Sequence, residues 1–336
     1  MTVDVHAHAL SEWFLADLTR RPVAGLSTAR DGKGGYAILR EGVAAGTLDP
    51  NLHDLPRRLA SLRRRGVQRQ LFGPAPPFLS WFGGAAGVEL TRALHRQSLE
   101  IAAASEGLLE PMALPALGEP AQAAAELERA VGEYGFRSVM LPSSAGTCAL
   151  DDPRFADLFA LFERLDLLVF MHPTTGFPVD RFGFNGMNVL LAWPFETTLA
   201  VTRLVFGGVL HRHPGLKLVL AHGGGNLVFL RGRLDAAYEA EGWEAHPYYR
   251  QAIDRPPSHY LDRLYYDTCT LSTDSTRFLL DVVGPDRVLF GSDYPFDVGD
   301  PEGARVMPLI ETLAPDTRDK VLSQNALRLL RGAARS

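Results

Sequence analysis

The chain has 336 residues, of which 46 % are hydrophobic and 22 % charged, a soluble-globular balance with enough apolar material for a large core. Lysine and arginine total 34 against 39 acidic residues, a formal net charge of −5. That acidic balance speaks against a nucleic-acid-binding surface, which needs a basic excess or a clustered basic face.

The N-terminal MTVDVHAHAL has neither the basic nor the apolar region of a signal peptide, and Val3–Ala7 within it reads as a first strand. Ser11 to about Leu52 is Gly-rich and irregular, with a hint of hairpin around Gly34–Leu39; it is expected to be a small insertion (about 11–52) decorating the mouth of the fold. The basic run Arg57, Arg58, Arg63, Arg64 and Arg65 reads as the solvated face of a helix. Strands follow at Val67–Phe72, Leu108–Leu114, Ser138–Leu141, Leu167–Met171, Lys217–Ala221, Arg263–Asp267 and Arg287–Gly291. Their near-continuous apolar character is that of parallel strands buried on both faces. Helical patterns occupy Pro120–Tyr134, Arg154–Leu165 (capped by Asp152-Pro153), Phe195–His211 and Asp316–Leu330. Gly176–Trp193 is a second long, Gly-, Phe- and Asn-rich stretch. Apolar runs are broken by charge within about ten residues, so no membrane span is expected. Cys148 and Cys269 form no CxxC pair or framework, which fits a reducing, cytoplasmic setting.

Eight strands alternating with helices predict an α/β fold, a (β/α)8 TIM barrel over residues 1–336 as one domain, distorted by the insertion after strand 1. Loops after barrel strands build active sites, so both long stretches are candidates for substrate contact.

The strand ends carry the chemistry. His6 and His8 end strand 1 two residues apart and so share a face. Strand 5 ends in His172, strand 6 in His222 followed by three glycines, and strand 8 leads to Asp293-Tyr294-Pro295. These ends converge on one face of a barrel, and imidazoles with a carboxylate are ligands for a divalent cation.

The motifs VDVHAH, VFMHP, VLAHGGG and VLFGSDYPF, with FETT at Phe195–Thr198, resemble the amidohydrolase superfamily. More narrowly they resemble the branch that contains 2-amino-3-carboxymuconate-6-semialdehyde decarboxylase, along nearly the whole chain. The resemblance implies metal ligands at His6, His8, His172 and Asp293, and His222 as a general acid/base, with Asp293 also able to serve in proton transfer. No lysine ends strand 4, where SVMLPSS stands, so a mononuclear site is implied. Zinc is the first choice of cation and manganese the alternative. The resemblance further implies a homodimer in which Arg233 reaches a substrate carboxylate in the neighbouring subunit, with Arg40 as a second carboxylate-binding arginine; Phe296, directly after Asp293-Tyr294-Pro295, is expected to line the pocket. Thr174 and Thr175 after His172, and Val189 before Pro194, depart from the decarboxylase pattern where substrate would be read.

The expected activity is non-oxidative, metal-dependent decarboxylation of a small unsaturated or aromatic carboxylic acid. A hydrolase of an amide, lactone or carbon–carbon bond, or a hydratase, using the same mononuclear site is the alternative. A catalytically silent metal-binding barrel is the third reading.

Overall fold

Each apolar run of the sequence becomes a short parallel strand because both of its faces are covered. The computed structural model describes every residue except 24, 33, 80–82, 175–185, 243–245 and 332–336, and the side chain of residue 45. The barrel strands are β1 (Thr2–Asp4), β2 (Val67–Phe72), β3 (Leu109–Pro111), β4 (Ser138–Pro142), β5 (Leu168–His172), β6 (Lys217–Leu220), β7 (Tyr265–Asp267) and β8 (Val288–Leu289). β1, β2 and β3 form one parallel sheet, and β4 to β8 another, paired in chain order. Isolated parallel bridges span both gaps, Ala113 to Val139 and Ala7 to Tyr294. Across the second gap Val5 N also donates to Phe290 O at 2.9 Å. The eight strands thus follow one another around a ring.

Alternation along the central strands sorts the core in two. Val139, Leu141, Val169 and Met171 pack with Leu158, Phe162 and Leu204 of the helical layer. Met140, Leu168, Phe170, Val219 and Leu289 share a second cluster. His172 continues the Leu168–Phe170 series at period two, so its ring points the same way as theirs.

Three sequence expectations are corrected. The 11–52 insertion is more regular than its glycines suggest. Ser11 caps a helix at Glu12–Arg20, followed by a three-stranded antiparallel sheet of Leu26–Arg30, Tyr36–Arg40 and Val43–Leu48. Buried Leu26, Thr28, Tyr36 and Ile38 alternate with more exposed neighbours, a strand pattern that the surrounding glycines obscure. Next, Asn188–Phe206 is long and apolar enough to cross a bilayer by length and composition alone, yet half of it is buried inside the protein. The helix expected from Phe195 starts earlier, running back through Ala192 to Asn188. Most of the glycine-rich stretch Gly176–Trp193, and Thr175 before it, lie outside the described residues.

The third correction is Arg58. Arg57, Arg63 and Arg64 are exposed as a solvated face should be, but Arg58 is 1 % exposed. It points inward from Leu55–Arg65, donates to Gln70 Oε1 at 3.1 Å and to the carbonyl of His8, and lies 4.5 Å over the Tyr294 ring. A guanidinium, weakly hydrated and rich in donors, tolerates this burial when bonded. Arg58→Met keeps much of the buried volume but orphans two acceptors, so stability should fall by about 1–3 kcal/mol. Arg57→Met on the exposed face should stay within about 0.5 kcal/mol. Urea unfolding of the two variants measures the difference, and equal losses would refute the assignment.

Candidate active site

The alternation of β1 and the chain beyond it brings Asp4, His6 and His8 to one side, and all three are fully buried. Each ligand-type imidazole is fixed through Nδ1. His6 Nδ1 pairs with Asp267 Oδ2 at 2.6 Å, His8 Nδ1 with the Pro74 carbonyl at 2.8 Å, and His172 Nδ1 with the Pro173 carbonyl at 2.8 Å. Donation from Nδ1 leaves each Nε2 as a free lone pair. His6 Nε2 and His8 Nε2 both lie 3.1 Å from Asp293 Oδ1. The three Nε2 atoms and Asp293 Oδ1 are buried, with no hydrogen-bond partner among the described residues. One ligand atom from each of the four residues lies within 4.8 Å of the others. Four orphaned donors this close are satisfied together by one divalent cation, and three nitrogens with one carboxylate oxygen suit zinc or manganese.

The electrostatics agree. Burial pushes the Asp293 carboxyl up, but His6, His222 and His8 outweigh it and hold the group well below the usual carboxylate range. Burial pushes His8 down, and pushes His172 well down with help from His8, His6 and His222; both are neutral ligands. Burial opposes charge on His6 too, yet Asp293 and Asp267 carry it up to about 10. The pull that both carboxylates exert on His6 is one they would equally exert on a cation held among these ligands.

His222 stands apart from this set, its side chain 15 % exposed, with Nε2 3.4 Å from Asp293 Oδ2. Its ring stacks on Trp193 at 6.4 Å and 19°. His222 and Asp293 have φ of 55° and 57°, left-handed conformations that cost energy outside glycine and concentrate at functional positions. The turn after His222 needs its glycines. At Gly225, φ is +65° and a Cβ would stand 2.2 Å from the Pro194 carbonyl oxygen. That close approach seats the helix carrying Trp193 against the turn.

Above the centre opens a cavity of about 680 Å3, lined among others by Leu48, Val189, Trp193, Asn226, Thr270 and Phe296, with His222 and Asp293 reaching it. Phe296 is thus at the pocket, its ring 5.2 Å from that of His8. Arg40 sits exposed at the end of its insertion strand, and the insertion meets the pocket through Gly46–Leu48 instead. Arg233 is exposed on the helix Leu227–Glu239 and does not line the cavity. Thr174 is buried, its N–H donating to Ser143 Oγ at 2.9 Å.

Several functional positions escaped the sequence reading. Asp267 orients His6 and also accepts from Gly223 N at 2.8 Å and Cys269 N at 3.1 Å; an acid at the end of a barrel strand was its available signal. Asp4, two residues before His6, accepts from Ser292 N and Oγ at 3.0 and 2.6 Å and from Gln70 Nε2 at 2.8 Å. Trp193 and Cys269 carried no local signal. Burial holds the Cys269 thiol well above its usual range.

Comparison with known proteins adds to this geometry. A family model described as amidohydrolase matches residues 3–332. The chain is 28 % identical to 2-amino-3-carboxymuconate-6-semialdehyde decarboxylase of Dictyostelium discoideum over 84 % of this chain and 78 % of that one. Its fold is that of 5-carboxyvanillate decarboxylase from Sphingomonas paucimobilis, with a TM-score of 0.79, 22 % identity and 99 % of both chains covered. It is likewise that of a dihydroxybenzoic acid decarboxylase from Polaromonas solved with bound manganese, with a TM-score of 0.77, 22 % identity and 98 % and 96 % covered.

Asp267→Asn keeps the shape beside His6 but removes the carboxylate that orients it. The expected result is a loss of roughly ten- to a hundredfold in divalent-cation affinity with all four ligands intact. Competition against a chelating dye measures it, and unchanged affinity would show that Asp267 does not tune the centre.

Proposed function

This chain belongs to the amidohydrolase family, and from that membership and the site's geometry we propose that it is a metal-dependent, non-oxidative decarboxylase of a small unsaturated or aromatic carboxylic acid. The observation that carries the proposal is the set of four buried, unpaired ligand atoms on His6, His8, His172 and Asp293 beneath a pocket with Trp193 and Phe296 in its walls. Held by those four residues, a divalent cation would supply the positive charge that anchors an anionic substrate and draws electron density from it. Zinc is our first choice for a site with three imidazoles, and manganese, the ion named with the Polaromonas relative, is the alternative.

The protein's own groups do the rest. Trp193 and Phe296 offer flat apolar surfaces to a planar, conjugated acid. His222 Nε2 and Asp293 Oδ2, 3.4 Å apart, form the pair that moves a proton onto the carbon bearing the carboxylate. The bond to the carboxylate then breaks, its electrons return to the conjugated system, and carbon dioxide leaves with the proton in its place.

Arg233 and a homodimer belong to the same proposal. Leu191, Phe195 and Leu199 are 46 %, 44 % and 45 % exposed at a four-residue spacing, and Phe229, one turn before Arg233, is 81 % exposed. The two segments meet where Asn226 N donates to Thr198 Oγ1 at 2.9 Å. A second copy covering this face would bring the partner's Arg233 towards the pocket. Arg40 remains a candidate carboxylate-binding residue of the insertion. Two free cysteines support a cytoplasmic, reducing setting. One observation favours the hydrolase or hydratase reading: among the described residues lining the pocket there is no arginine or lysine.

Zinc- or manganese-loaded protein given aminocarboxymuconate semialdehyde, 5-carboxyvanillate and dihydroxybenzoates should release carbon dioxide from one of them. His222→Asn should keep one cation per chain and lose about 10²–10⁴ in kcat. Hydrolysis of lactones or amides without carbon dioxide release would make the second reading correct. Phe229→Asp should convert a dimer to monomers in sedimentation; an unchanged sedimentation coefficient would exclude this face.

A further inference from the structure

Cys269 is the second residue after β7, at the rim of the centre. It is 2 % exposed, lines the pocket, and has its backbone N–H tethered to Asp267 Oδ1 at 3.1 Å. Its Sγ, one nitrogen of His6 and one nitrogen of His222 all lie within 4.8 Å of one another. Each of these two rings carries a buried nitrogen unpaired among the described residues, Nε2 on fully buried His6 and Nδ1 on His222. The three groups form a ligand set of their own, with sulfur where the first set has a carboxylate.

We propose that His6, His222 and Cys269 form a second, softer cation site that overlaps the catalytic one and captures soft divalent cations such as cadmium in its place, while zinc and manganese take the catalytic set. The inference rests on the reading of His6, His8, His172 and Asp293 as the catalytic set. Thiolate sulfur prefers soft cations, while a carboxylate with imidazoles keeps harder ones such as manganese. As the sulfur–cation bond forms, the thiol proton leaves to solvent. His6 has one free nitrogen, its Nδ1 being engaged by Asp267, so the two sets cannot be filled together. A cation in the softer set also ties up His222 and removes it from proton transfer. The choice of cation thereby decides whether the enzyme works.

The test uses the full-length protein stripped of metal and titrated with cadmium alone, read by the ultraviolet thiolate-to-cadmium charge-transfer band. One equivalent should develop the band in the wild type. Cys148→Ser, which removes the only other cysteine, should keep it, and both Cys269→Ser and Cys269→Ala should lose it. His8→Ala should lose manganese binding yet keep the cadmium band, because His8 belongs to the first set only. No band in the wild type, or a band that survives in a folded Cys269 variant, overturns the proposal. So does a band lost together with manganese in His8→Ala, which would mean a single set. Cadmium magnetic resonance of the wild type decides the matter without any variant: a sulfur-shifted signal supports the softer set, and a purely nitrogen–oxygen signal overturns it. Manganese retained by His8→Ala would instead refute the catalytic set, and the cadmium signal would still decide this inference separately.

Discussion

A carboxylate buried among imidazoles is the constraint from which most of this structure follows. Asp293 is 4 % exposed, and its Oδ1 stands 3.1 Å from both His6 Nε2 and His8 Nε2 while its Oδ2 faces His222. Taking such a charge out of water is expensive unless opposite charge and hydrogen bonds surround it. The backbone is arranged to permit that crowding. Asp293 N donates to His6 O at 2.8 Å, locking the end of the eighth strand to the end of the first. Gly291 has no side chain because a Cβ there would meet His6 Cβ at 2.9 Å and Asp267 Cβ at 3.0 Å. The close passage of three strand ends around the centre depends on that glycine.

Around this centre runs a ring of buried polar groups whose partners are each other. Asp267 holds His6; Asp4 ties the first strand to Ser292 and Gln70; Gln70 accepts from Arg58; Arg58 holds the carbonyl of His8. In a low-dielectric interior a fully bonded network of this kind is rigid, and leaving any member unpaired is costly. The network therefore works as scaffolding for imidazole orientation. A ligand nitrogen turned away from its cation would have to break a bond one step further out.

The barrel was legible because its signal is hydrophobic and local: all eight apolar runs became strands, and their ends carried the His and Asp residues that the fold brings together. What escaped was set by tertiary context. Arg58 belongs to a basic run that looks solvated, and only the position of Gln70 and the His8 carbonyl below it explains why that one arginine turns in. The insertion sheet hid behind glycines that serve its turns, with Gly25, Gly32, Gly34 and Gly42 all at positive φ. Trp193 lay in a stretch read as loop, yet close packing of Pro194 on Gly225 sets its ring over His222. Cys269 is two residues from an acid that was itself overlooked, and neither shows any periodicity.

Chemistry and specificity are built on different parts of the chain. The groups that would bind a cation or move a proton sit at the ends of β1, β5 and β6 and just beyond β8, where strand pairing fixes them to one another. The upper walls of the pocket come from elsewhere: Gly46–Leu48 of the insertion sheet, Asn188–Trp193, and Phe296–Val298 beyond the Asp293 turn. The hydrogen bonds that orient His6, His8 and His172 do not pass through these segments, which touch the centre through Trp193 against His222 and the Phe296 N–H on the Asp293 carbonyl. Departures from the decarboxylase pattern fall accordingly. Val189 lines the pocket, whereas Thr174 is turned into a hydrogen bond with Ser143 and helps to shape the strand end. Only the first of these can touch a substrate directly. The ligand-type side chains are thus held by strand pairing, whereas the pocket's upper walls are carried by segments outside the barrel strands.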